Sequence, residues 1–331
     1  MIVVRTPLRI SFVGGGSDFP DYFRAHGGAV LSTAIDKYVY VIVKERFDDQ
    51  IYINYSRKEI VDSVADIQHE LVREAMRITG VDRGVEITTL ADVPSSGTGL
   101  GSSSSITVGL LQALYAYKGV LVTAEQLAQQ ACEIEIERCK KPIGKQDQYI
   151  AAFGGLRVIQ FHPDNSVAVQ SVDCGEAVRQ QLNRELLLFY TDVTRIAGGV
   201  LQEQQQNILA RRDELAEIAA LVEPGRVCIC GGDCGQGRAR HRRTAVRCQN
   251  MGRGRGRAHP VLMPACGGKS VSSAKSKIRQ DKRKHRCQSP RWGTVGEPSG
   301  LGLRSQREVR RRHRWTPQPP RVARACSLLR P

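Results

Sequence analysis

Over the first 225 residues, the apolar positions fall into short β-branched or alternating runs and into longer stripes at helical spacing; beyond them no such pattern persists. Residues 1–13 read as two short β runs on either side of Pro7, and 39–43 and Ile51–Asn54 as further strands, because β-branched and aromatic residues suit a half-buried pleated surface. The spacing predicts a helix over 67–79, a strand over 84–90, and a helix over 105–117 with Ile106, Leu110, Leu111 and Leu114 on one face. A third helix follows Thr123, where Thr123 and Gln126 stand at capping-box spacing. On it Leu127, Ala131 and Ile134 form the buried stripe, Glu133 points away, and Glu135 lies at the edge, within reach of a cleft. Strands at 156–161 and 167–172 flank a turn at His162-Pro163-Asp164-Asn165, a buried strand is expected at 186–190, and a helix over 200–222 ends the legible portion.

Between the strand at 84–90 and the helix at 105–117 runs Pro94-Ser95-Ser96-Gly97-Thr98-Gly99-Leu100-Gly101-Ser102-Ser103-Ser104-Ser105. Glycines at alternate positions let a backbone approach a ligand closely, and serines at a helix start offer hydroxyls and free N–H groups, which together attract phosphate. No Lys-Ser or Lys-Thr closes the loop, so it is not a Walker A motif, and its glycines are not spaced as in the dinucleotide fingerprint. A flexible linker has similar composition, but the strand before and the helix after favour a nucleotide site.

Charge divides the chain. The net charge of +16 comes from residues 226–331, where 27 Lys and Arg face 4 acids; residues 1–225 are net acidic, with 22 against 29. The first part has the mixed charge and length of an enzyme with a sizeable core. The second carries seven of the ten cysteines, Arg-Gly repeats and no amphipathic stretch. Its abrupt onset within a helical pattern favours a non-native reading frame over a basic nucleic-acid-binding arm, and its cysteines lack the paired spacing of zinc sites. No apolar run approaches membrane-spanning length and no signal segment opens the chain, so a cytoplasmic protein without membrane contact is expected.

Three further segments stand out: Arg5-Thr6-Pro7-Leu8-Arg9-Ile10-Ser11-Phe12-Val13-Gly14-Gly15-Gly16-Ser17-Asp18; Glu135 with Pro142-Ile143-Gly144-Lys145-Gln146-Asp147-Gln148; and Tyr190-Thr191-Asp192-Val193-Thr194-Arg195. With the serine loop, and in this order, they resemble the GHMP kinase superfamily over about residues 1–222, nearest to its heptose 7-phosphate kinase branch. The resemblance implies an α+β GHMP kinase fold, with a ribosomal-protein S5-like lobe over 1–160, an incomplete ferredoxin-like lobe over 161–225, and a basic tail over 226–331. It implies ATP and Mg²⁺ as cofactors and a sugar phosphate as substrate, phosphorylated on its anomeric hydroxyl. Pro94, Gly97, Gly99, Leu100, Gly101, Ser102, Ser103 and Ser104 would wrap the ATP phosphates, and Ser103 and Glu135 would hold the metal. Asp147 would accept the sugar hydroxyl's proton, assisted by Arg9 and by Lys145 as a second cation. Gly14, Gly15, Gly16, Ser17 and Asp18 would hold sugar hydroxyls, and Arg195 the substrate's phosphate.

Taken singly, Arg9 reads as a strand-end cation, Glu135 as a solvated helix residue and Asp147 as a turn residue; their joint occurrence in family order raises them to site residues. Lys37, Lys44, His26 and His69 read as surface or structural groups. The third glycine-rich motif that family members carry near the C-terminus is not found in residues 226–331. The alternatives are another GHMP sugar kinase of fucokinase type, or an inactive kinase remnant whose basic tail binds nucleic acid.

Overall fold

The computed structural model describes residues 1–94, 98–188, 205–231 and 262–264, all within the compact unit Met1–Gly267. Its framework is a seven-stranded sheet built around one long strand. β1 (Ile2–Val13) pairs antiparallel with β2 (Gly28–Glu45), from Ile2 opposite Val43 to Val13 opposite Leu31. On its other edge β2 is shared. Its second half meets β5 (Val85–Ala91), which continues to β3 (Ile51–Asn54) and β4 (Lys58–Val61); its first half meets β6 (Leu156–Phe161), followed by β7 (Val167–Ser171).

β1 is a single strand, not two runs broken at Pro7. Among the described strands it pairs with β2 alone, so proline's missing N–H removes no bond on the open side. The register shifts between Pro7 and Arg9, and the Arg9 backbone N–H then donates to Leu100 O across that open edge (3.1 Å), which seats the serine loop against β1. The first half of β2 was not apparent from the apolar pattern because Ser32, Thr33, Asp36 and Lys37 interrupt it. Ser32 is fully buried there, its hydroxyl 2.6 Å from that of Ser11.

α2 (Glu70–Thr79), α3 (Ser102–Tyr117) and α4 (Ala124–Cys132) pack on the sheet. The main core joins Val39, Val41, Val43, Ile51, Ile53 and Ile87 to Met76 of α2 and Leu110, Leu111 and Leu114 of α3. Each such side chain, removed from water, stabilises the fold by about 1.5–3 kcal/mol. α3 lies close to β1 and β2 at Gly109, where a Cβ would stand 2.8 Å from Thr6 Oγ1. A second core packs α1 (Pro20–His26), α4 and α5 (Gln146–Phe153) together through Phe23, Ala128, Tyr149, Ile150 and Phe161.

The capping box on α4 is formed as read: Thr123 Oγ1 accepts from Gln126 N, and Gln126 Oε1 accepts from Thr123 N. α2 begins at Glu70, later than expected, because the His69 ring nitrogen caps it by accepting from Val72 N; α3 begins three residues early, so the serines themselves are helical. α6 (Gly175–Glu185), rich in polar residues, had no apolar stripe to announce it. The strand expected at 186–190 is β8 (Leu186–Leu188), with Leu188 42% exposed, not buried; it pairs antiparallel with β9 (Leu262–Pro264), while 189–190 lie outside the described residues. Residues 200–204 of the expected helix also lie outside them. The remainder is divided into a short 3₁₀ turn (Leu209–Arg211), α7 (Arg212–Ala220) and α8 (Val222–Cys230), and α8 runs past the composition change at 226.

Candidate active site

The serine loop enters α3 through two left-handed glycines, Gly99 (φ 69°) and Gly101 (φ 78°), a conformation that costs most residues a clash at Cβ. Arg9 fastens this loop to a carboxylate from far along the chain. Its Nη1 donates to Gly99 O (2.7 Å) and its Nε to Asp147 Oδ1 (2.6 Å), with Asp147 in the first turn of α5. A Cβ on Gly101 would stand 3.2 Å from Asp147 Oδ2 and 3.4 Å from Arg9 Cγ. The open edge of β1, the glycine loop and the start of α5 therefore meet at one point. The Arg9 and Asp147 side chains are 15% and 23% exposed, so the ion pair is sheltered yet reachable.

Glu135 lies beside it, buried and not at a helix edge. The reason is a change of helical period: after Cys132, α4 continues as a π turn over Glu133–Arg138, which rotates the following side chains out of the α-helical phase. Glu135 is 0% exposed. Its Oε1 accepts from Ser103 Oγ (2.6 Å) and its Oε2 from Gln148 Nε2 (2.7 Å). Burial pushes its carboxyl pKa above the ordinary value, opposed by the Lys141 charge and by the hydroxyl and amide donors. Lys141 Nζ stands 3.3 Å from Ser103 Oγ. Gln148 Oε1 is buried with no hydrogen-bond partner.

The triple-glycine turn forms the third side. Gly14 (φ 94°) and Gly16 (φ 100°) are left-handed, and the Ser17 hydroxyl donates to Gly14 O (2.8 Å) and Ala29 O (3.0 Å), tying the turn to β2. Asp18 Oδ1 accepts from Gly16 N and Gln146 Nε2, and Oδ2 from Gln146 N. Burial, then the neighbouring Asp147 charge, pushes the Asp18 carboxyl pKa up. Gln146 completes a half-buried polar chain, its Oε1 accepting from Ser11 Oγ (2.5 Å), which in turn adjoins the buried Ser32. Gly144 faces this junction, where a Cβ would fall 2.0 Å from Asp18 Oδ2 and 3.0 Å from the Asp18 backbone carbon. Gly144→Ala is therefore expected to destabilise the protein by about 1–3 kcal/mol by overpacking. A thermal melt measures this, and an unchanged Tm would contradict the tight junction.

Residues 54–155 match the GHMP kinases N terminal domain. The chain carries a GHMP kinase N-terminal domain. The D-glycero-alpha-D-manno-heptose 7-phosphate kinase of Campylobacter jejuni is 29% identical over 234 residues, 67% of this chain and 68% of that protein. The L-fucokinase/L-fucose-1-P guanylyltransferase of Bacteroides fragilis is 26% identical over 235 residues, 60% of this chain but 25% of that much longer protein. Among solved structures, a D-glycero-D-manno-heptose 1-phosphate kinase from Bacteroides thetaiotaomicron superposes with a TM-score of 0.59 at 22% identity, covering 86% of this chain and 93% of its own. The α+β architecture is thus the GHMP kinase fold. Among the described residues no helix is long and apolar enough to cross a membrane.

Within this chain, Arg9, Gly99, Leu100, Gly101, Ser102, Ser103, Glu135 and Asp147 come together. Pro94 leads into the loop, while Gly97 and Arg195 lie outside the described residues. Ser102 Oγ lies 3.2 Å from Thr98 Oγ1, across the loop, and Ser104 is buried behind it. Three placements differ from expectation. Lys145 turns away from Asp147: its ammonium donates to Asn165 Oδ1 (2.7 Å) and lies 5.2 Å from the centre of the Phe23 ring, where burial pushes its pKa down. The Ser17 hydroxyl is spent on backbone carbonyls, and Asp18, 1% exposed, pins the glycine turn to Gln146 instead of opening toward solvent. The sequence reading passed over Gln146, Gln148 and Lys141. The Gln-Asp-Gln triplet at a helix start was a usable signal, since consecutive helical side chains point in different directions and can address three neighbours.

The donor set suits Mg²⁺. Ser103 and Glu135 bring hard oxygen atoms to one spot at the start of α3, and among the described residues no cluster of three or more His, Cys, Asp or Glu forms a closed metal cage. Mg²⁺ takes one or two protein oxygens and completes its shell with water and substrate phosphates.

Proposed function

We propose that this GHMP kinase transfers the γ-phosphoryl group of ATP to the anomeric hydroxyl of a D-glycero-D-manno-heptose 7-phosphate, giving the 1,7-bisphosphate. The observation that carries the reading is the Arg9–Asp147 pair held against the glycine loop, with Ser103 and Glu135 adjoining it. The choice of sugar is supported by the Campylobacter jejuni relative.

Phosphoryl transfer needs in-line positioning and charge stabilisation more than covalent help from the protein. In the proposed reaction the sugar hydroxyl oxygen bonds to the γ-phosphorus, the bond to the bridging oxygen breaks, ADP leaves with that electron pair, and Asp147 receives the hydroxyl proton. Arg9 fixes the Asp147 carboxylate in one orientation and keeps it next to Gly99, so the proton acceptor and the phosphate cradle stay in register. The N–H groups at the start of α3 receive phosphate oxygens, aided by the positive end of the helix. Ser103 and Glu135 would hold Mg²⁺, which when bound supplies positive charge to the phosphates. The glycine turn, shaped by Ser17 and Asp18, forms the wall against which the sugar rests. In chain order, the ATP-binding lobe is proposed over 1–160 and the start of a second lobe over 161–225.

Full-length protein incubated with ATP, Mg²⁺ and a panel of heptose 7-phosphate, fucose, galactose and mevalonate tests this through ADP release. The heptose phosphate is expected to give a kcat/KM at least about tenfold above the others, the discrimination one well-placed charged contact provides. ADP release with none of them would remove the proposal. A preference for fucose would establish the second reading, which the likeness to the Bacteroides fragilis enzyme supports.

A further inference from the structure

The loop from Thr98 to Ser105 contains no lysine or arginine. A triphosphate seated on it would therefore meet N–H groups and hydroxyls but no cation from the loop itself. Arg9 is engaged with Asp147 and Gly99, and Lys145 is turned to Asn165. We infer that Lys141 is a nucleotide-phosphate ligand of this kinase, held on Glu70 until a triphosphate reaches Ser103.

Its ammonium is 3.3 Å from Ser103 Oγ, in the first turn of α3, and 3.0 Å from Glu70 Oε1, in the first turn of α2. The backbone that presents it is fixed. Lys140 takes a left-handed conformation (φ 53°), rare outside glycine and asparagine, and Lys141 N donates to Glu135 O (2.9 Å) while its own carbonyl accepts from Ile143 N (2.9 Å). This turn directly follows the π segment that buries Glu135, so the same local distortion delivers both the carboxylate and the ammonium to Ser103. The Glu70 side chain is 46% exposed, and ion pairs with so exposed a partner are weak. A phosphate at the start of α3 offers the ammonium more negative charge within a short swing, so transfer from Glu70 to phosphate is downhill.

The inference rests on the proposed ATP site, and its test separates the two. Calorimetry with full-length protein measures binding of a non-hydrolysable ATP analogue and of adenosine, with Mg²⁺ present, for wild type, Lys141→Met, Lys141→Arg and Glu70→Gln. Lys141→Met should weaken the triphosphate analogue by about tenfold, the loss of one charge-assisted contact, and leave adenosine unchanged; Lys141→Arg should restore most of the loss. Glu70→Gln should tighten the analogue by about two- to fivefold, because the ammonium no longer has to leave a carboxylate. This second variant carries the test if Lys141→Met fails to fold. Equal triphosphate binding in wild type and Lys141→Met, an equal loss for adenosine, or no change in Glu70→Gln would overturn the inference. Absence of nucleotide binding by folded wild-type protein would overturn the ATP site as well.

Discussion

Asp147→Asn is expected to lower kcat/KM for the sugar substrate by about 10³-fold while leaving ATP binding within about twofold of wild type. The asparagine oxygen can still accept the Arg9 Nε–H that Asp147 Oδ1 accepts at 2.6 Å, so the loop, Arg9 and α5 should keep their places. What disappears is the ability to take a proton from the attacking hydroxyl. General-base catalysis contributes about 10²–10⁴-fold, and in phosphoryl transfer the positioning and electrostatic contributions that remain are large, so a residual rate is expected. Steady-state kinetics with a thermal melt as control would read this. A variant retaining more than about a tenth of wild-type turnover would exclude Asp147 as the base.

Glu135→Gln is expected to act in opposite directions on activity and stability. Removing the buried charge takes away a candidate metal ligand, and turnover should fall by about 10²–10³-fold. The metal-free protein, however, should become more stable. Glu135 is fully buried and its carboxyl pKa is raised mainly by that burial, so keeping it ionised costs the fold free energy. The substitution can keep both hydrogen bonds that Glu135 makes to Ser103 and Gln148. Ser103 Oγ can still donate to the amide oxygen, and Gln148, by rotating its amide, can present the partnerless Oε1 to the new N–H₂ group.

The pH dependence follows from the direction of the shift. A carboxyl whose folded pKa lies above its unfolded value contributes stability that is fully present below the unfolded pKa and is lost as pH rises through the folded one. Asp18, raised for the same reason, contributes a drift of the same sign in both proteins. Melts without metal from about pH 4 to pH 8 should therefore show wild type declining more steeply with pH than Glu135→Gln, and parallel curves would contradict the buried-charge account.

Much of the site could be read locally. The alternate glycines and serines before an apolar helix announced the start of α3, the Thr123 and Gln126 pair announced that of α4, and the apolar runs around His162–Asn165 announced the β6–β7 hairpin. Each of these signals lies within a few residues and depends on backbone preferences that persist in any tertiary setting. Lys145 shows the limit: its position beside Asp147 in sequence suggested a shared task, but its side chain follows the α1 and β6–β7 surroundings to Asn165 and Phe23.

By itself, then, the chain's pattern determined most of the principal strands and helices, that a glycine- and serine-rich segment leads into an apolar helix after the strand at 84–90, and which acids were candidates for chemistry. Tertiary structure decided which of those acids is reachable and which is enclosed. Glu135 became a buried partner of Ser103 because a π turn displaced it from the α-helical phase, and Arg9 met Asp147 across 138 residues because the shifted register of β1 opens toward the loop. Helical phase extrapolated along a sequence assumes an unbroken period, and contacts between distant segments depend on packing that no local preference encodes.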